Sequence, residues 1–257
     1  MKKVTCILCA LMLLILAAWA WAGNTMVVAG GTPAGGGSSL SWTNCIFFLT
    51  AEANDTATPY TMSVTDDYSA GDSTGNYVES GVSITATGPL SGTYSFIQSE
   101  WGYLEFAVSS NDIFPSRTGA IGFWYNYSAL PSGTDYFIFL DGDNNASVRV
   151  SSTGEITFAI NDGDGTKTYA TTDAALTTGV SYFIEILFAG ATGTVAIYVN
   201  NVAKTVTGSD TFAATTGYTV IYIGDTNNEG GEGKWDNVMI FNTNMRLWDF
   251  RSAAYGD

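Results

Sequence analysis

The chain has 257 residues, 46% hydrophobic and 14% aromatic, with 9 basic residues against 24 acidic ones and no histidine. A net charge of −15 repels nucleic acid and anionic membrane surfaces, so neither is expected as a partner. Without an imidazole there is no Ser-His-Asp nucleophile system and no histidine zinc site, so an enzyme built on this chain would have to work with carboxylates.

Residues 1–22 read as a secretory signal peptide. Lys2 and Lys3 form its charged head, Ile7 to Ala18 its apolar run, and Ala20-Trp21-Ala22 a small-residue cleavage site before Gly23. An uncleaved anchor is the competing reading, because apolar character persists almost to Ala22. The expectation is bacterial-style export, to the medium, the cell surface or the periplasm. Cleavage would leave 7 basic residues against 24 acidic ones, a net −17, and Cys45 without an internal disulfide partner. Residues 23–42 are a Gly-rich leader or tether. Its "TMVV" at 25–28 could serve self-assembly by strand addition.

Residues 43–257 read as one all-β domain, an antiparallel β-sandwich. Its predicted strands are "CIFFLT", "SITAT", "YSFIQ", "YLEFAV", "GAIGFWYNY", "DYFIFLD", "SVRVS", "EITFAIND", "SYFIEILFA", "TVAIYV", "YTVIYIGD" and "KWDNVMIF". They are rich in β-branched and aromatic residues and bounded by Gly, Asn, Asp and Ser. Asn200-Asn201 predicts a two-residue hairpin turn, because Asn tolerates the positive φ that both central positions require. "SSTGE" and "NDGDGT" predict two further turns, and "FLDGDNNAS" is a hairpin loop in the same style. The C-terminal "NTNMRLWDFRSAA" predicts a short helical turn capped by Asn244.

Four segments between about residues 119 and 250 resemble the laminin-G-like, concanavalin A-like lectin and glucanase jelly rolls: "GAIGFWYNYSAL", "TTGVSYFIEILFA", "GTVAIYVNNVAKT" and "YIGDTNNEGGEGKWDNVMIFNTNM". Asn201 stands where that family usually has Gly, Trp235 where it has Ile, and Asn237 where it has a second Asp. The resemblance implies a jelly-roll sandwich and a role for Asp236, whose counterpart often helps hold a structural calcium ion. By order in the chain, Glu52 is the partner ligand such a site would take from the N-terminal part.

Strict alternation in "KWDNVMIF" places Lys234, Asp236, Val238 and Ile240 on one face and Trp235, Asn237, Met239 and Phe241 on the other. Asp236 is then in phase with core residues. Either it binds calcium, a cation that prefers carboxylate and carbonyl oxygens, or it accepts hydrogen bonds from backbone amides or Lys234. Trp124 and Asn126 share a strand face, opposite Phe123, Tyr125 and Tyr127. They form part of a sugar platform if that face is outward, and belong to the core if it faces the other sheet. The loop "GDTNNEGGEG", with Asp225, Asn227 and Asn228, is a candidate ligand edge at the sandwich rim or a solvated loop. Glu185 is the one acid inside the apolar strand "YFIEILF", and a single carboxylate cannot be both acid and nucleophile of a glycosidase. The leading expectation is therefore an exported, non-catalytic, lectin-like module that binds carbohydrate, with calcium as its candidate cofactor. The alternatives are a structural or assembly subunit of a surface or particle, and a carboxylate glycosidase.

Overall fold

The computed structural model describes residues 45–49, 77–85, 95–107, 114, 117–142, 145–173, 176–208, 210–213, 218–224 and 232–250. Fourteen strands occupy them. The first seven are β1 (Cys45–Leu49), β2 (Tyr77–Thr85), β3 (Ser95–Ala107), β4 (Thr118–Ala129), β5 (Thr134–Gly142), β6 (Ala146–Ser151) and β7 (Ile156–Asn161). The rest are β8 (Thr166–Thr171), β9 (Ser181–Ala189), β10 (Thr194–Val199), β11 (Val202–Ala203), β12 (Val206–Thr207), β13 (Tyr218–Gly224) and β14 (Glu232–Phe241). Helix is limited, among the described residues, to two three-residue 3₁₀ turns, Gly190–Thr192 and Trp248–Phe250.

All pairs are antiparallel, and hydrogen bonds run through the order β11-β10-β9-β4-β14-β3-β13-β5-β6-β7-β8-β12. The path folds over at β3. Phe96 to Gln98 pair with β14, whereas Tyr103 to Ala107 pair with β13, and β2 accompanies both halves. The β2–β3 ribbon thus carries the chain from a first layer (β11-β10-β9-β4-β14, with β1 also on β14) into a second (β13-β5-β6-β7-β8-β12). The result is an antiparallel β-sandwich, as the sequence implies.

Alternation explains the core. Ile121, Phe123, Tyr125 and Tyr127 of β4 and Ile184, Ile186 and Phe188 of β9 point inward to meet Ile138 and Leu140, Val148 and Val150, and Phe158 and Ile160. Rings bridge the layers, with Phe123 on Phe137 at 5.0 Å and Phe158 stacked on Phe188 at 4.9 Å. The Asn200-Asn201 turn forms as predicted, with φ of 49° and 66°, and closes β10 on β11 through Val199 opposite Val202. Gly154 at φ 83° and Gly163 at φ 90° make the other two predicted turns possible.

Three details differ from expectation. "YSFIQ" and "YLEFAV" are parts of one strand, β3, whose pairing with β2 breaks register between Ser80 and Val82 where the ribbon changes layer. "TKTYAT" is a further strand, β8. The C-terminal turn begins at Trp248, four residues beyond Asn244, so Asn244 is not at its N-terminus.

Candidate functional site

A second apolar cluster lies on the outward face of the first layer. Small residues at the outward positions of β4, Ala120 and Gly122, leave a shallow bed. A Cβ on Gly122 would stand 2.9 Å from Leu247 Cδ1, so glycine there admits the incoming leucine. The segment 243–250 lies across this bed, and Leu247 and Phe250 are buried against Phe183, Leu187, Met239 and Phe241. We call it the C-terminal strap.

Glu185 anchors the strap. Its carboxylate is fully enclosed and accepts from Arg246 Nε at 3.2 Å, Arg246 Nη2 at 2.9 Å and Leu247 N at 2.7 Å. Arg246 also hydrogen-bonds Asn201 Oδ1 and sits 3.8 Å from the centre of the Tyr198 ring. The hydrogen bonds to Glu185 hold the guanidinium above its ordinary arginine range. Two charged oxygens meeting a planar fork is a strong pairing, and it gives the isolated acid of β9 an architectural task.

Trp124 and Asn126 face outward on this layer, and Phe123, Tyr125 and Tyr127 face the core. Trp124 is half-buried, its ring edge-on to Phe183 at 5.5 Å, with Trp248 on the far side of Phe183 at 5.9 Å. Asn126 hydrogen-bonds the Ser181 hydroxyl at 3.0 Å, and Lys234 lies opposite it on β14. The structure therefore places an indole, a side-chain amide and a hydroxyl on one outward stretch of β4 and β9, with Lys234 in register with Asn126. Trp248 is the ring that strand-based reading missed, because it belongs to no strand.

Asp236 is also on this outward face, which corrects the expectation from strict alternation. Between Asp236 and Met239 the strand spends one more residue than β4 does between Trp124 and Gly122. Asn237 takes up that bulge at φ 46°. Trp235, Val238 and Ile240 consequently point inward, while Asp236, Met239 and Phe241 share the other side. Asp236 is fully buried all the same. Ser95 Oγ donates to its Oδ2 at 3.2 Å and the amide of Asn237 to its Oδ1 at 2.8 Å.

These neighbours bear on the calcium expectation. The described residues bring one carboxylate and one hydroxyl together here, and no group of three or more acidic or cysteine side chains gathers anywhere among them. Calcium takes six to eight oxygens, so a shell at Asp236 would need donors from outside that set. Glu52 lies outside the described residues, as do Asp225, Asn227, Asn228 and the leader 23–42.

The outward face of the second layer carries groups that the sequence reading did not single out. Tyr103 and Glu105 of β3, Tyr222 of β13, Tyr136 and Asp141 of β5 and Arg149 of β6 are all partly exposed. They alternate with the buried Leu104, Phe106, Ile221, Leu140, Val148 and Val150, except that Tyr136, opposite Arg149, precedes a register shift beyond which Phe137 and Ile138 are both buried.

With the fold and these faces described, comparison places the chain. Residues 98–246, more than half of it, match the Laminin_G_3 family model of the concanavalin A-like lectin/glucanases superfamily, and the chain belongs to that family. No curated protein matches it by sequence. Among solved structures it is similar to the binding domain of Paraclostridial Mosquitocidal Protein 1, with a TM-score of 0.62 at 12% identity. It is also similar to the binding domain of botulinum neurotoxin DC, solved with rat synaptotagmin II, with a TM-score of 0.61 at 14% identity. The ligand binding domain of botulinum neurotoxin serotype D, solved with N-acetylneuraminic acid, gives a TM-score of 0.60 at 14% identity. The matches cover 80–81% of this chain and 50% of each of those chains, so the chain spans about half their length. At such identities the likeness is one of fold.

Proposed function

We propose that this protein is an exported, non-catalytic, lectin-like module that binds carbohydrate on the Trp124 patch of its first layer. The observation that carries the reading is the partly exposed Trp124 ring, two residues from Asn126 on the outward face, packed with Trp248 around Phe183. Sugars offer an apolar CH face that stacks on an indole and hydroxyls that pair with an amide, which is the combination this patch presents. Membership of a lectin and glucanase superfamily and the likeness to toxin binding domains support it at the level of fold. The Arg246 pairing of Glu185 supports the non-catalytic part, since glycoside hydrolysis needs two carboxylates disposed about one bond. The signal-like residues 1–22 support export, and a calcium ion shared by Asp236 and Glu52 remains part of the proposal.

Binding of the chain from Gly23 onward to a broad glycan panel, in calcium and in EDTA, tests this. The expected result is selective binding that weakens at least tenfold in Trp124→Ala. A blank panel in both buffers overturns the lectin reading, and binding indifferent to EDTA removes calcium from it.

A further inference from the structure

The loop between β7 and β8 sets two identical dipeptides in opposite chemical situations. Asp-Gly occurs at 141–142, 162–163 and 164–165, and Asn-Gly nowhere in the chain. Asp141-Gly142 lies in β5, held by its pairing with β13. The other two steps are adjacent, between the paired residues Asn161 and Thr166. Glycine leaves such a step open to an internal reaction, because no side chain shields its amide nitrogen from the preceding carboxyl.

At Asp162-Gly163 both reacting groups are occupied. Asp162 Oδ1 accepts from the Asp164 amide at 3.1 Å and Oδ2 from the Ala213 amide at 3.0 Å. The Gly163 amide donates to Asn161 Oδ1 at 3.0 Å. Slight burial works to raise the Asp162 carboxyl, yet the Ala213 and Asp164 amides and the Lys167 ammonium leave it below its ordinary range. It is held ionised, and a carboxylate is a poor electrophile.

At Asp164-Gly165 neither group is held. Asp164 is exposed, and no hydrogen-bond donor or cation meets its carboxylate among the described residues. The Gly165 amide donates to no acceptor among them, and a Cβ built on Gly165 would meet nothing within 4 Å. Gly165 stands at φ 126°, so the loop calls for the very residue that leaves the step reactive.

We infer that Asp164 is a site of spontaneous isomerisation to isoaspartate, selected over Asp162 by the hydrogen bonds of the loop. The Gly165 amide nitrogen attacks Cγ of the Asp164 carboxyl in its protonated form. A C–N bond forms, a C–O bond breaks, and the hydroxyl leaves with the amide proton as water. A second water opens the succinimide ring. Attack at Cγ restores aspartate, and attack at the backbone carbonyl yields isoaspartate, with the main chain routed through Cβ and Cγ. The loop then carries an extra main-chain carbon two residues from Asp162, whose bond to Ala213 ties the hairpin to the segment that places Phe212 in the core. The inference is independent of what the protein binds.

Incubation of the full chain in heavy-oxygen water near neutral pH, followed by digestion and fragment mass spectrometry, tests it. Each ring opening leaves one solvent oxygen in the residue, so both products are counted. The expected result is that label enters Asp164 roughly tenfold faster than Asp162 in the native protein, and isoaspartate accumulates at Asp164. In urea, where the loop's hydrogen bonds are lost, the two rates should converge to within about twofold. Equal native rates, label at Asp162 ahead of Asp164, or no label at Asp164 would overturn the inference. The same preference persisting in urea would overturn it too, because the selection would then lie in the neighbouring residues and not in the fold.

Discussion

The pairing of Glu185 with Arg246 makes an asymmetric prediction about stability. Glu185 is 0% exposed, whereas the Arg246 side chain is 40% exposed. Arg246→Ala strands a charged carboxylate in an apolar cluster with the Leu247 amide as its remaining donor of the three now observed. Removing one partner of a buried pair costs about 3–5 kcal/mol, and the exposure of Arg246 argues for the lower end. Glu185→Gln is milder. The amide keeps the size of the side chain, its oxygen can still accept from Leu247, and Arg246 can turn toward water, so the loss is about 1–2 kcal/mol.

Urea unfolding checks the ordering, provided the m-value is unchanged. The protein's net −15 would itself make the loss of a cation worse than the loss of an anion. Arg246→Lys separates the two effects, because it keeps the charge and discards the planar fork. It should fall between the other two variants. The double variant should cost less than the sum of the singles, since no charge is left buried. Arg246→Ala within about 0.5 kcal/mol of the unaltered protein, a surface-substitution effect, would refute the claim that the pair anchors the strap.

Two further predictions concern the first layer. Asp236→Ala leaves the Ser95 hydroxyl and the Asn237 amide without this acceptor and should cost about 2–3 kcal/mol in the same urea assay. A melt in calcium and in EDTA then isolates the metal: a calcium-dependent rise in Tm that vanishes in Asp236→Ala would place an ion there. Burial pushes the Cys45 thiol from 9.0 up to about 12. Its folded pKa is raised, so its contribution to stability is complete below about 9 and is lost as pH climbs toward about 12. In the chain from Gly23 onward, Cys45 should react with a disulfide reagent at pH 8 only in denaturant, and rapid labelling of the native protein would contradict its burial.

The strands were readable because their β-branched and aromatic runs are bounded by turn residues. β9 and β10 begin and end where their apolar runs do, and Asn200-Asn201 declares its own turn. β8 escaped notice because it is an outer strand with a mostly polar outward parity, burying little beyond Tyr169 and Thr171. The face of Asp236 was misread because one residue at positive φ shifts the parity of all that follow. The residue that does so is an asparagine, a type that tolerates that conformation, so the sequence did hold a hint. The direction of Trp124 was also recoverable. Its parity-mates Ala120 and Gly122 are too small to fill a core, whereas the opposite parity carries Ile121, Phe123, Tyr125 and Tyr127. What no local pattern could supply is the meeting of Glu185 with Arg246, 61 residues apart, although each is a charge in an apolar setting.

The two outward faces follow from how each layer is covered. On the first, glycine and alanine at alternate positions of β4 make a bed for Leu247, and the strap seals it as far as Phe183. The Trp124 patch begins where that cover ends, so its extent is set by the same contacts that stabilise the strap. On the second, the outward positions of β3, β13, β5 and β6 include Tyr103, Glu105, Tyr222, Tyr136, Asp141 and Arg149, bulky and polar groups that make no comparable bed for an apolar segment. One face therefore spends its outward residues on packing and leaves a small aromatic edge. The other carries partly exposed rings and charged groups instead. That difference in side-chain size between the outward positions of the two layers is why the strap packs on the first layer, where Ala120 and Gly122 make room for Leu247.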